Sequence, residues 1–381
     1  MSIEALEIVE PGLLTTVQDR GRYGYQRFGV PASGAMDVFA LRAANLIVGN
    51  DEDAAGLEIT VLGPRIRFLS DIWIAVTGAD LSPTLDDDLL KQWRAVKISA
   101  NSVLSFKGAQ DGMRAYLAVA GGIDVPVVMG SRSTYAKGAI GGFEGRPLKA
   151  GDVLRTLSLE PGVVFTKRRL PGNLKLPPYG REHEIRVVLG PQEQAFTPDG
   201  VATFLGSSYK VSMQSDRMGY RLEGPSVQHR SASNIVSDGV PLGSVQVPGD
   251  GSPIVLLVDR GTTGGYPKIA TVISTDIGRL AQAMPGDTLT FKAVTVEEAH
   301  AFLRDQEEVL EAIGKDGDGM ADAGRLSILV EGQAFEVADE KGGTIAIPEA
   351  AATPGSGQSH RVRATVDGET YDFEVEVQQL D

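Results

Sequence analysis

The chain has 381 residues, no cysteine, and a formal net charge of −14 from 50 acidic against 36 basic residues. That length points to two or three domains, and 42% hydrophobic with 23% charged residues is ordinary globular composition, able to build a sizeable core. The missing cysteines exclude disulfides, thiolate catalysis and Cys-ligated metals, and the acidic balance argues against nucleic acid or an anionic membrane as a main partner. The opening residues, MSIEALEIVEPG, show no basic n-region and no apolar stretch of signal length. No window has the unbroken apolar length that spans a bilayer, so a cytoplasmic location is expected.

Leu6 to Val9 reads as a first strand and Leu13 to Val17 as a second, after the Pro11-Gly12 turn. Gln18 to Tyr25 is polar, and Phe28 to Asp37 reads as a loop. The Asp37 carboxylate is placed to cap a helix opening at Val38, and Gly49-Asn50 ends that helix. Its sequence, VFALRAANLIV, is apolar nearly all round, so it should be buried, and Asn45 inside it needs a hydrogen-bond partner. From Leu57 to Leu157 short apolar strands alternate with turn residues, IWIAV, AVKIS, SVLSF and AYLAVA being the clearest. So many strands with so few helices favour a barrel or sandwich over a doubly wound sheet. Lys167 to Arg181 is rich in Pro, Gly and basic residues and reads as the connection to a second lobe.

That second lobe echoes the first. Leu62-Gly63-Pro64 returns as Leu189-Gly190-Pro191, and Gln18-Asp19-Arg20 with Gly24-Tyr25 returns as Gln214, Asp216-Arg217 and Gly219-Tyr220. The shared order argues for a weak duplication and two related β lobes. Ile254 to Val258 and Ile269 to Ile273 read as buried strands bracketing the loop Asp259 to Lys268. Thr295-Val296-Glu297-Glu298 is a capping-box pattern opening a helix that buries Phe302, Leu303, Val309, Leu310 and Ile313 and stops at Gly314. Lys315 to Arg325 reads as a linker; its likeness to a calcium loop fails at Met320 and Ala321, where a ligand and the invariant Gly belong. Beyond it, LSILV-EG-QAFEV and RVRATV-DG-ETYDFEVEV read as two hairpins. The expected fold is mainly β (α+β), divided into a first β lobe over 1-170, a second over 181-294, a helix and linker over 295-325, and a C-terminal β-hairpin module over 326-381.

Standard catalytic signatures are missing: there is no Walker loop, no strand–GxGxxG–helix, no HExxH and no GxSxG elbow. The four histidines show no ligand spacing, so no metal site is expected. Two polar loops, one per lobe, remain as the candidate site. Asp19, Arg20 and Arg22 fall with Ser33 and Asp37 in the first; Gln214, Asp216 and Arg217 in the second join Gln246, Asp250, Thr263, Gly264, Gly265, Tyr266 and Lys268. Arginine suits bidentate recognition of carboxylate or phosphate, lysine supplies a movable charge, and Gln and Thr are neutral donors able to polarise a carbonyl. On this reading Asp216, Arg217 and Lys268 are catalytic and the others, apart from the capping Asp37, bind substrate. Arg217 and Lys268 are expected to be exposed loop charges, dispensable for folding. The competing readings are plain: Asp-Arg pairs also pin loops together, and a Gly-rich loop between strands also serves as a connector.

Several long motifs occur in order: TTVQDRGRYGYQRFGVPASGAMD, LEIT with LGP, QSDRMGYRLEGP, GSVQVPGDGSPIVLL, and RGTTGGYPKIATVISTD with LAQ and PGD. Together they resemble the biotin-dependent carboxyltransferase-like family, over about residues 5–293. That family includes 5-oxoprolinase C subunits, allophanate hydrolase second subunits and part of urea carboxylase. The resemblance implies two cyclophilin-like β-barrel lobes and a small anionic amide as substrate. It also implies partner subunits A and B, with B completing the site, and ATP as the cofactor used with them to open 5-oxoproline to L-glutamate. The chain would then be active only in complex. Two alternatives stay open: carboxyl transfer to urea or a similar amide from a separate biotin carrier, and a regulatory protein antagonising a histidine-kinase inhibitor. The C-terminal hairpins are similar to segments beside biotin carrier domains, yet no Met-Lys-Met occurs, so no covalent biotin is expected on this chain.

Overall fold

A computed structural model describes residues 2–157 and 179–318 and, beyond them, four strands within 326–376. The chain forms two compact units, Met1–Gly314 and Lys315–Asp381. Inside the first unit two β assemblies draw on separate runs of sequence. Strands Val153–Leu157, Ser2–Glu10, Arg65–Phe68, Val103–Phe106, Pro83–Leu85 and Asp88–Leu89 lie side by side in that order as one sheet. Leu14–Gln18, Gly56–Thr60, Asp111–Val119, Ile72–Asp80 and Val96–Ile98 form another.

Side-chain alternation drives the packing of these two sheets. In Arg65–Phe68 the arginines are exposed while Ile66 and Phe68 are buried. Those two share one apolar core with Leu6, Ile8, Leu57, Ile59, Ile74 and Val76. The strand Asp111–Val119 is buried on both faces, as an unbroken apolar run requires. Its Leu117 and Val119 enter that core, while Ala118 packs with Ala43, Ala44 and Ile47 of helix α1, Val38–Ile47. Asp37 caps α1 as expected, its Oδ1 accepting the Ala40 N–H at 3.0 Å. Asn45 is satisfied too, donating to the Ala54 carbonyl at 2.8 Å.

The second assembly is a closed barrel in the order Glu182–Leu189, Lys268–Val272, Ser244–Gln246, Ile254–Leu256, Gly219–Glu223, Tyr209–Val211 and Thr288–Ala293. It closes through the parallel pairing of Glu182–Val187 with Thr288–Ala293. Val187, Tyr209, Tyr220, Val245, Val255 and Ile269 fill its interior. Two short helices accompany it, α2 (Pro198–Gly206) and α3 (Ser274–Ala281). The mainly β expectation therefore holds; the second lobe closes on itself, whereas the first is described by two sheets. Most of the expected connection Lys167 to Arg181 lies outside the described residues.

Helix α4, Val296–Asp318, begins with the expected capping box: Thr295 N–H donates to Glu298 Oε2 (2.8 Å) and Glu298 N–H to Thr295 Oγ1 (3.1 Å). It runs four residues past Gly314, where a stop was expected. One glycine costs a helix only about 1 kcal/mol relative to Ala, and no proline follows to enforce an end. In the second unit Gln333–Val337, Leu326–Val330, Ser359–Val366 and Glu369–Glu376 form an antiparallel sheet in that order. Val330 pairs with Gln333 and Val366 with Glu369, the registers of two hairpins. Met320 and Ala321 lie outside the described residues. Among the described residues no helix is long and apolar enough to cross a membrane.

Candidate functional site

The two lobes meet through charges that would be intolerable there singly. Glu58 and Arg114 sit on the buried strands Gly56–Thr60 and Asp111–Val119, and each is nearly inaccessible to solvent. Arg217 reaches across from the second lobe. Its Nε donates to Asp259 Oδ2 (2.9 Å), its Nη2 to the Gly34 carbonyl (2.8 Å) and its Nη1 to Glu58 Oε1. Glu58 Oε2 also accepts the Met36 N–H (2.8 Å) and the Tyr116 hydroxyl (2.8 Å). Arg114 donates to the Tyr220 hydroxyl (2.7 Å) and the Ala281 carbonyl. Gln282 joins both lobes: its Oε1 accepts the Arg114 N–H (2.8 Å) and its Nε2 donates to Asp37 Oδ2 (2.9 Å). Helix α3 approaches Asp37 so closely that a Cβ on Gly278 would fall 2.6 Å from Asp37 Oδ1.

This network separates the two buried acids. Burial alone would raise the Glu58 carboxyl, but Arg217 and Arg114 outweigh it and hold the group below the usual carboxylate range. Among the described residues no cation is set against Asp37; burial pushes its carboxyl up, against the bonds from Gln282 and Ala40, and the Glu58 charge adds to the rise. Burial works against the Arg217 guanidinium, yet Glu58 and Asp259 hold it above its ordinary value.

Beside this junction Asp19 acts as a hub. Its Oδ1 accepts the Gly21 N–H (2.8 Å), the Ser131 hydroxyl (2.7 Å) and the Ser133 hydroxyl; its Oδ2 accepts the Arg132 N–H (2.5 Å). Arg22 is fully buried, donating to the carbonyls of Val128 (2.9 Å) and Ser133 (2.8 Å). Burial lowers its guanidinium, against the charges of Asp19 and Asp259. Its backbone N–H bonds the Ala32 carbonyl, and the next residue, Ser33, donates its N–H across the junction to Val258 (3.0 Å). Ser33 holds a left-handed backbone, φ 53°, a conformation that costs a non-glycine residue about 1–3 kcal/mol. Arg22 Nη1 and Ser33 Oγ have no hydrogen-bond partner among the described residues. Two buried donors are thus free where the chain spends strain to place one of them. Between them runs the exposed loop of Tyr23 and Phe28.

A second cluster forms at Lys268, which begins a barrel strand and is buried. Its Nζ donates to Asp238 Oδ2 (3.0 Å). Thr263–Gly264 pairs with Asp238–Gly239 as a two-residue ribbon. Gln246 Nε2 is directed at the Tyr266 carbonyl (3.4 Å), and a Cβ on Gly264 would meet that Nε2 at 2.5 Å. Gly265 accepts the Ile235 N–H (2.8 Å). The loop Asp259 to Lys268 therefore touches both clusters, through Asp259 at one end and Lys268 at the other.

The other candidates stand apart. Arg20 is half exposed and pairs with Asp53 (3.1 Å). Asp216 is exposed, pairing with Lys137 (3.1 Å) and accepting the Met218 N–H (2.7 Å). Gln214 is exposed, and Asp250 closes a turn by accepting the Ser252 N–H (3.0 Å). The echo of Gln-Asp-Arg between the lobes is thus no echo of environment: Arg20 faces solvent, while Arg217 is only 11% exposed. Contrary to expectation, neither Arg217 nor Lys268 is an exposed loop charge. Glu58, Arg114, Asp259 and Gln282 were not singled out from sequence. A lone Glu in GLEIT and a lone Arg before AYLAV were the available signals, since a charge inside an apolar strand demands a partner. A cleft of about 420 Å³, lined by Asn50, Asp53, Gly121, Asp124, Arg132 and Leu157 among others, includes none of the candidates. It touches them through Arg132, whose N–H bonds Asp19, and through Asp53, which pairs with Arg20.

Residues 28–293 match the carboxyltransferase domain, subdomains A and B, and the chain belongs to that family. It is 43% identical over 313 residues to the 5-oxoprolinase C subunit of Escherichia coli (strain K12), spanning 81% of this chain and 97% of that protein. Two solved structures are also similar. The K. lactis urea amidolyase matches with 34% identity and a TM-score of 0.75 over 82% of this chain, and the Kluyveromyces lactis urea carboxylase with 31% and 0.78 over 96%. The chain spans only 20% of the first of these proteins and 32% of the second.

Proposed function

We infer that this chain is the C subunit of a 5-oxoprolinase, contributing to the ATP-dependent opening of 5-oxoproline to L-glutamate with subunits A and B. The observation that carries the reading is the near full-length match to a protein of that name, 97% of which this chain covers. The reaction adds water across the ring amide bond, and the amide oxygen gathers negative charge as its carbonyl carbon is attacked. Such an oxygen needs positioned donors in a partly dry site. Arg22 Nη1 and Ser33 Oγ, buried and unengaged, have the chemistry to supply them. Asp19, with Ser131 and Ser133, keeps the Arg22 side in place, and the Glu58–Arg217–Asp259 network holds Ser33 against the second lobe.

ATP is assigned to the partner subunits. The Gly261–Gly265 stretch does not fit a triphosphate: Gly264 is packed against Gln246 and paired with Asp238, and the neighbouring cation, Lys268, is already engaged. Biotin is not expected on this chain, which has no Met-Lys-Met. The second reading, carboxyl transfer to urea, is favoured by one observation: the structural likeness to the Kluyveromyces lactis urea carboxylase extends over 96% of this chain.

An omission assay tests the function. Subunits A and B should convert 5-oxoproline to glutamate with ATP only when this chain is added, and this chain alone should be inactive. Equal turnover with and without it, or urea-dependent acceptance of carboxyl groups from a biotin carrier in its place, would overturn the reading.

A further inference from the structure

Lys268 is 1% exposed, at the start of a barrel strand whose backbone is held on both sides by Gln192: its N–H donates to Gln192 Oε1 (3.0 Å) and its carbonyl accepts the Gln192 N–H (3.1 Å). The ammonium carries three donors, and among the described residues it bonds a single carboxylate oxygen, Asp238 Oδ2. That carboxylate is of a different kind. Its side chain is 54% exposed, and it rides on the two-residue ribbon Asp238–Gly239 against Thr263–Gly264, beside the almost fully exposed Val236. Gln192 Nε2 also points at Oδ2, though at 3.3 Å. A rigid, buried cation is therefore capped by a solvent-facing anion on the smallest possible piece of sheet.

We propose that Lys268 is a recognition point for a ligand carboxylate, and that Asp238 fills that point as a latch in the free chain. A carboxylate taking the place of Asp238 Oδ2 would inherit the charge-assisted bond to Lys268 and the approach of Gln192 Nε2, and the displaced Asp238 would return to water, where half of it already lies. The exchange swaps one anion for another at a buried cation and leaves no charge uncompensated. An inorganic anion could compete, but the mould left by the latch is that of a carboxylate. Recognition of a carboxylate stands on the geometry alone; taking 5-oxoproline as its source rests on the function proposed above.

The test is chemical rescue of stability. Asp238→Ala, and Asp238→Asn as a milder variant that keeps an oxygen for the Gly239 N–H, should melt below wild type because Lys268 loses its counter-charge. Sodium acetate and 5-oxoproline, each titrated at constant ionic strength against chloride, should raise the Tm of these variants in a saturable way and raise wild type far less. Adding Lys268→Met to Asp238→Ala should abolish the response. Rescue by acetate without rescue by 5-oxoproline supports the carboxylate site and counts against 5-oxoproline as its ligand. No carboxylate-specific rise in either variant, or an equal rise in the Lys268→Met double variant, would overturn the inference.

Discussion

At the scale of single residues, the junction turns two arginines that look alike in sequence into opposites. Arg217 compensates Glu58 and Asp259, so Arg217→Ala leaves two carboxylates in a low-dielectric contact. The expected cost is about 3–5 kcal/mol, the usual result of removing one partner from a buried pair. Arg20→Ala, at an exposed pair, should cost well under 1 kcal/mol. Chemical denaturation of both variants checks the contrast. The buried acids should also shape the pH dependence, with opposite signs. Glu58 is held low, so its stabilisation is present above the usual carboxylate range and is lost as pH falls through its depressed pKa. Asp37 is held high, so its contribution is complete in acid and is lost as pH rises through its elevated pKa. Asp37→Asn should therefore flatten the decline that runs from the ordinary carboxylate range up to that elevated pKa, whatever the baseline cost of setting an amide against Gln282. Melting temperatures across pH would show it; an unchanged slope would mean that Asp37 is ionised in the folded chain. The Asp37 cap was legible because its partner, Ala40, lies three positions away. Arg217 was not, because its partners Glu58 and Gly34 lie 159 and 183 positions away. Pairings at that separation leave no local pattern to read.

At the scale of elements, what was legible was what is built locally. The apolar run of α1, the capping box of α4 and the hairpin registers of the C-terminal unit follow from neighbours in sequence. What escaped was how elements are fastened to one another. Helix α4 joins α1 not only through Leu310 and Ile313 but through Arg42, which donates to both Glu307 oxygens (2.6 Å each) and to Glu52 (2.5 Å). Glu307 is held below the usual carboxylate range, first by its bond to Arg42. Thr295→Ala should remove one capping bond and cost about 1 kcal/mol. Because the cap is exposed and makes none of the junction's hydrogen bonds, the loss should appear as faster amide exchange in the first turns of α4, with the barrel strands unchanged. Faster exchange throughout the first unit would show instead that α4 is integral to the junction.

At the scale of the whole molecule, the fold class and the family were legible from ordered motifs, because long stretches that must fold together stay together in sequence. The site was legible only in part. Asp19, Arg22, Ser33 and Lys268 were singled out as candidates through their residue types, but their burial depends on contacts made far along the chain, which residue type does not reveal. In the function proposed above, the lobe junction exists to hold Arg22 and Ser33 as donors for a substrate oxygen. The most direct measurement is turnover of 5-oxoproline by the assembled complex carrying Ser33→Ala, with the melting temperature of the same variant chain. The substitution removes one unengaged hydroxyl and no observed hydrogen bond. The expected result is a fall in kcat/KM of roughly tenfold to a thousandfold, the range for losing one oxyanion donor, with an unchanged Tm. Unchanged turnover, or a fall explained by a lower Tm, would contradict it.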